Sequence, residues 1–116
     1  MTIFEKIING EIPAKVIYED ENVIAFLDHM PKTTGHTLVV PKEFSRNLKD
    51  ISEKSLVNVM KVAVKVAKHL IKKLEVDGFR IICNNEASSK QVVFHTHIHI
   101  IPTESNKKIS HNELKF

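Results

Sequence analysis

The period of the apolar positions changes several times along the chain, and each change marks an element. Ile3-Phe4 and Ile7-Ile8 are apolar pairs four residues apart, followed by Asn9-Gly10, which predicts a short helix with a glycine stop. Beyond Pro13, Val16–Glu19 and Val23–Leu27 read as the two strands of a hairpin around the polar Asp20-Glu21-Asn22 turn. A loop of turn residues from Asp28 to Gly35 leads to His36 and another strand, Thr37–Val40, closed by Pro41. Asp50-Ile51-Ser52-Glu53 has capping-box spacing and opens one long helix that reaches about Leu74. Leu56, Val59, Met60, Ala63, Val66, Ala67, Leu70 and Leu74 form its core stripe. A second stripe, Val57, Val64 and Ile71, repeats at seven residues; it is either a wide core face or, as so small a domain favours, a surface for a second copy. Gly78 breaks the chain, Phe79–Cys83 makes a strand, a polar loop runs from Asn84 to Lys90, and Phe94–Ile101 is the last strand. The tail after Pro102 is charged and only weakly periodic. Helix, strands, helix, strands is the order of a single α+β domain over residues 1–116, with an antiparallel sheet of about five strands, one long helix and one short one.

Composition narrows the function classes. The 116 residues contain one cysteine, Cys83, so there is no disulfide framework and no Cys-x-x-Cys pair; its apolar approach, Ile81-Ile82, suits a buried structural thiol. No long apolar run or leader-like segment is present, and the expectation is a cytoplasmic protein without a membrane partner. The formal charge of +3 and pI near 9.0 suit an anionic ligand. Lys61, Lys65, Lys68, Lys72 and Lys73 recur at helical spacing with no aromatic residues between them, so they read as a solvated face, and no nucleic-acid partner is expected.

The chemistry concentrates in Phe94-His95-Thr96-His97-Ile98-His99-Ile100-Ile101. In a strand, His95, His97 and His99 would share one face at about 7 Å spacing, with Thr96, Ile98 and Ile100 on the other. Such a row can be a solvated polar face. It can be part of a metal site, although no carboxylate or cysteine is close in sequence to complete the shell. It can also be a phosphoryl-transfer site, with a neutral imidazole as nucleophile and its neighbours donating to phosphate oxygens. The third reading leads.

The run His95-Thr96-His97-Ile98-His99-Ile100-Ile101 resembles the His-φ-His-φ-His-φ-φ signature of the histidine triad (HIT) family of nucleotidyl hydrolases and transferases, and looks closest to its histidine-triad nucleotide-binding (Hint) branch. The resemblance extends through residues 3–13, 19–28, 35–42 and 84–102. It implies an α+β fold, a homodimer whose sheets join, and release of a nucleoside monophosphate from a leaving group. His97 matches the nucleophile, His95 and His99 its triad partners, and His36 a fourth supporting histidine. Asn84, Gln91 and His99 match phosphate-contacting positions, Asp28 the acceptor of the ribose hydroxyls, and Phe4, Ile7, Ile12, Phe26 and Leu38 the base pocket.

The chain departs from that pattern in four places. Thr2, Glu5 and Phe44 stand where some members have zinc ligands, so no structural metal and no cofactor are expected. The loop from Asn84 to Val92 contains no glycine, and Lys90 replaces the usual Gly before Gln. Val92 stands where many members have Ser, and the tail lacks a tryptophan-containing ending. The resemblance thus implies a hydrolase of purine nucleoside 5′-phosphoramidates (AMP or GMP type). The alternatives are a dinucleoside polyphosphate hydrolase, with Lys90 holding the longer chain, and a catalytically weak nucleotide-binding or interaction protein. A bell-shaped pH profile is expected if one triad neighbour holds a proton while His97 is neutral.

Overall fold

The computed structural model describes residues 1–116. Helix α1 (Ile3–Ile8) is followed by strands β1 (Val16–Glu19), β2 (Val23–Leu27) and β3 (Thr37–Pro41), then the long helix α2 (Glu53–Leu74). Strand β4 (Phe79–Ile82), a single 3-10 turn (Ala87–Ser89), strand β5 (Ile98–Pro102) and a short helix α3 (His111–Leu114) complete the chain. The five strands form one antiparallel sheet, as the alternation of helix and strand patterns implies, and their order is β1-β2-β3-β5-β4. No helix is long and apolar enough to cross a membrane.

Period-two alternation splits the buried residues between the two faces of the sheet. Val23, Ala25, Val39, Ile98 and Ile100 pack under α2 with Val59, Val62, Ala63, Val66, Ala67, Leu70 and Leu74. The intervening residues Ile24, Phe26, Leu38 and Val40 face the opposite side and pack with Phe4 of α1. The helix α2 is therefore the floor of the main core, while α1 covers the face to which the odd-numbered histidines belong. On α2 the expected stripe is found from Val59 onward, with Val62 added to it. Leu56 is a correction: in the first turn the buried place one turn before Val59 is taken by Ser55, and Leu56 beside it is 38% exposed. The N-cap is also corrected, to Ser52, whose hydroxyl accepts from the Ser55 amide; Asp50 instead accepts the amides of Arg46 and Asn47, both at 3.1 Å.

Two further differences from the sequence reading matter for the site. The tail is ordered: Ser110 and Glu113 form a capping box for α3, His69 Nε2–H donates to the Leu114 carbonyl, and Leu114 is buried. The expected strand over Phe94–Ile101 begins only at Ile98. The β3–β5 ladder stops after the Val39–Ile98 pair because Pro41 has no N–H to give, its carbonyl is taken by the His95 ring at 2.8 Å, and the Thr96 amide turns away to the Ser45 carbonyl at 2.9 Å. His95, Thr96 and His97 thus lie in an irregular segment that feeds the strand.

Candidate active site

His97 and His99 come together on the α1 side of the sheet, with ring centroids 5.0 Å apart. His99 reaches that position as the β5 residue opposite Leu38. His97 is aimed by its own backbone: its Nδ1–H donates to the His95 carbonyl at 2.8 Å, and the Phe4 ring meets it edge-on at 4.9 Å. An imidazole whose Nδ1 carries the proton leaves Nε2 as a bare lone pair. That is the form a nucleophile needs.

The neighbouring tautomers follow from the same accounting. The Lys32 amide donates to His36 Nδ1 at 3.1 Å, so the proton of His36 is on Nε2, where it donates to His99 Nδ1 at 3.0 Å. His99 then carries its own proton on Nε2, on a ring whose centroid is 5.0 Å from that of His97. Asp28 stands behind this chain, its Oδ2 3.5 Å from His36 Nε2 and its Oδ1 accepting the Met30 amide at 2.9 Å. The site therefore pairs one bare nitrogen with one N–H donor, and a backbone amide at its far end enforces the pairing.

His95 has a different place from its partners. It is fully buried, its Nε2–H is spent on the Pro41 carbonyl, and its Nδ1 has no partner. Its backbone carbonyl, rather than its ring, touches the other triad members. Phe4, Phe26 and Leu38 are buried together in the cluster beside His97, Ile7 packs against that cluster half-buried, and Ile12 is half-buried in the turn after α1. Asn84 is half-buried just beyond β4. Gln91 departs from the expected phosphate contact, because it is buried with its side-chain amide fully engaged: Nε2 donates to the carbonyls of Arg46 (2.7 Å) and Val93 (3.1 Å), and Oε1 accepts from the Glu86 amide (2.8 Å) and Asn47 (3.2 Å). Arg46, Asn47 and Glu86 are the partners that sequence reasoning missed, because they lie about 40 residues away or look like ordinary surface charge.

Burial depresses the protonation of all four histidines of the cluster. His36, His95 and His97 are each held below the usual imidazole range chiefly by desolvation, and His99 is lowered to about 4 by desolvation together with the nearby His97 and His36 rings. Asp28 opposes the shift in His36, His97 and His99 without reversing it. At neutral pH the free site is a set of uncharged imidazoles.

Neither of two candidate metal positions fits an ion. The donor atoms of Asp28, His36 and His99 lie within 4.8 Å of one another. A ligating histidine, however, must donate from its other nitrogen, whereas His36 Nδ1 accepts from the Lys32 amide, so its Nε2 holds a proton and not a free pair. Where the resemblance implies zinc ligands in some family members, Thr2 and Glu5 cap α1 through reciprocal bonds of 2.8 and 3.2 Å, and the Phe44 ring sits edge-on to His95 at 5.4 Å. One imidazole and one engaged carboxylate do not make a four-ligand shell.

With this geometry in place, the comparison with known proteins is decisive: the model for the HIT domain matches residues 9–106. The chain belongs to the HIT family. Among HIT relatives, an uncharacterized 13.1 kDa HIT-like protein of Mesomycoplasma hyorhinis is 51% identical over 100 residues, covering 86% of this chain and 90% of that one. A HIT-like protein from Bartonella henselae, described as involved in cell-cycle regulation, superposes with a TM-score of 0.87 at 47% identity, over 92% of this chain and 82% of that one. A HIT family hydrolase from Clostridium thermocellum superposes at 0.78 with 34% identity, over 93% and 95% of the two chains.

Proposed function

We propose that this HIT protein hydrolyses purine nucleoside 5′-phosphoramidates, of AMP or GMP type, through a covalent nucleotidyl adduct on His97. The observation that carries the reading is the complementary pair of tautomers: a bare Nε2 on His97 and an Nε2–H on His99, with rings 5.0 Å apart. The His97 lone pair attacks the α-phosphorus, the P–N bond breaks, and the amine leaves with a proton. Positive charge that develops on the His97 ring is stabilised through Nδ1–H by the His95 carbonyl. Water then attacks the adduct, releasing the nucleoside monophosphate and restoring neutral His97. An anionic phosphoryl group beside the His97–His99 pair favours a doubly protonated His99, so a proton taken up with the substrate leaves on the amine from His99 Nε2 while His97 stays neutral for the attack. In this reading Asp28 accepts the ribose hydroxyls, and Asn84 and His99 contact phosphate. Phe4, Ile7, Ile12, Phe26 and Leu38 supply the apolar wall for the base. His95, His36 and Gln91 hold the parts in register. A relative described as a HIT family hydrolase supports hydrolysis as the reaction class.

The test is AMP release from adenosine 5′-phosphoramidate with a chelator present, followed across pH. Because burial lowers the free-site pKa of His97 and a proton enters with the substrate, kcat/KM should be bell-shaped, falling on the acid side only below about pH 6.5 as the nucleophile becomes protonated, and falling on the alkaline side as that proton becomes scarce. An acid limb at or above that value would contradict the burial argument, and no turnover despite AMP binding would leave a binding protein.

A homodimer is part of the same proposal. Val57 and Val64 on α2 are 44% and 39% exposed, and Phe79 and Ile81 on the sheet-edge strand β4 are each 37% exposed. An unpaired edge with an apolar flank is what a second copy would cover. Sedimentation should give a dimer for the wild type and a monomer for Ile81→Lys; a monomeric wild type would exclude it.

A further inference from the structure

The loop between β4 and β5 contains a backbone conformation that its sequence does not explain. Glu86 has φ +82° and ψ 158°, a region reached almost only by glycine, and four residues later Lys90 is left-handed at φ +71°. Something outside the local chain must hold Glu86 there. Its carboxylate is the convergence point of three donors from the β3–α2 connection. Arg46 grips it through Nη2 at 2.9 Å and Nε at 3.2 and 3.3 Å, Lys49 Nζ lies at 2.8 Å, and Asn47 Nδ2 donates at 2.7 Å. Arg46 is itself pinned, its guanidinium 4.2 Å above the Phe94 ring. The Glu86 amide donates to Gln91 Oε1, its carbonyl receives the amides of Ser89 and Gln91, both at 3.0 Å, and Asn85 Oδ1 receives the Leu48 amide at 2.8 Å. An exposed ion pair contributes little to stability, but a bidentate, three-donor grip on a side chain only 28% exposed can hold a turn.

We propose that Glu86 is the positioning residue of the phosphate loop: the grip of Arg46, Lys49 and Asn47 holds a glycine-type turn without glycine and thereby sets the segment that carries Asn84 and Gln91. The carboxylate does not touch substrate. This role rests on the phosphate-binding reading of that segment, but the conformation it explains is independent of the substrate. It also accounts for a loop that contains no glycine from Asn84 to Val92.

Glu86→Gly and Glu86→Ala separate the two halves of the idea, because both remove the grip and only glycine removes the need for it. Glu86→Ala should raise KM for adenosine 5′-phosphoramidate about tenfold or more, leave kcat within about twofold, and lose hydrogen-exchange protection at the Ser89 and Gln91 amides. Glu86→Gly should keep KM within about threefold of wild type and retain that protection. Raising salt to about 0.5 M should increase KM for wild type and leave Glu86→Gly unmoved. Glu86→Gln, which keeps the side chain's reach without its charge, should fall between the two and serves if the alanine variant does not fold. Equal impairment of Gly and Ala variants would mean that the carboxylate itself is required, and an unimpaired Ala variant would mean that the grip is dispensable; either overturns the proposal. If the wild type does not turn over phosphoramidate, exchange protection still ranks the variants, so the loop proposal and the substrate reading fail separately.

Discussion

Replacing His97 with alanine should reduce turnover of the phosphoramidate by at least about 10³-fold while AMP affinity stays within about threefold of wild type. The size of the loss follows from the tautomers. No other side chain in the cluster can take over as nucleophile. The outward nitrogen of His99 carries a proton, His36 Nε2 does as well, and His95 is buried with its Nε2–H on Pro41. Binding should survive because the ribose and base contacts of the proposal lie on Asp28 and the apolar wall. The substitution also opens space against Phe4 and leaves the His95 carbonyl without its donor, at a cost of about 2 kcal/mol. His97→Gln fills more of that space and cannot form the adduct, so it separates loss of chemistry from loss of fold. Single-turnover mixing with mass spectrometry should trap a nucleotidyl adduct in wild type and in neither variant. Turnover of a folded His97→Ala protein within about tenfold of wild type would sink the assignment.

The residues that sequence periodicity revealed and those it hid differ in a consistent physical way. Strands β2 and β3, the long helix and the end of α1 depend on local signals: short apolar runs bounded by turn residues for the strands, apolar positions three and four apart for the helix, and Asn9-Gly10 for the stop. The family motif brought His97, His99, His36 and Asp28 forward as one set, and the structure places their side chains in one connected cluster. Alternation alone predicts a continuous strand over the histidine run, because it cannot show that a proline carbonyl is claimed by an imidazole. The buried, satisfied amide of Gln91 depends on a carbonyl at Arg46, and no window of local sequence contains both. The conformation of Glu86 was hidden for the opposite reason: its composition suggested an ordinary solvated loop, while its backbone is held by partners about 40 residues away. The short helix α3 could have been found, since Ser110 and Glu113 carry capping-box spacing ahead of Leu114.

Gly35→Ala should produce the largest stability loss of any conservative change in the loop that carries Asp28 and His36, on the order of 2–4 kcal/mol, with Tm lower by about 10 °C or more. Gly35 has φ +87°, and a Cβ built there would lie 2.8 Å from Leu74 Cδ1, with Pro102 Cγ at 3.6 Å and Leu70 Cδ2 at 3.8 Å. Leu70 and Leu74 are completely buried under the sheet, so the neighbour that must yield has nowhere to go. Gly10 supplies the control: its φ is +77°, yet nothing lies within 4 Å of a built Cβ, so Gly10→Ala should cost only about 1 kcal/mol, from backbone conformation alone. The difference between the two variants isolates the packing contribution, and equal destabilisation would remove it. The same substitution should also reach the chemistry. The His36 amide donates to Thr33, the Asp28 amide donates to the His36 carbonyl at 2.9 Å, and Thr37 Oγ1 donates to the Gly35 carbonyl at 2.8 Å, so a shift at Gly35 moves the histidine that sets the tautomer of His99. At a temperature where Gly35→Ala is fully folded, kcat should still fall about tenfold, with a smaller change in KM. An unchanged kcat would show that the proton arrangement of His99 does not depend on this loop.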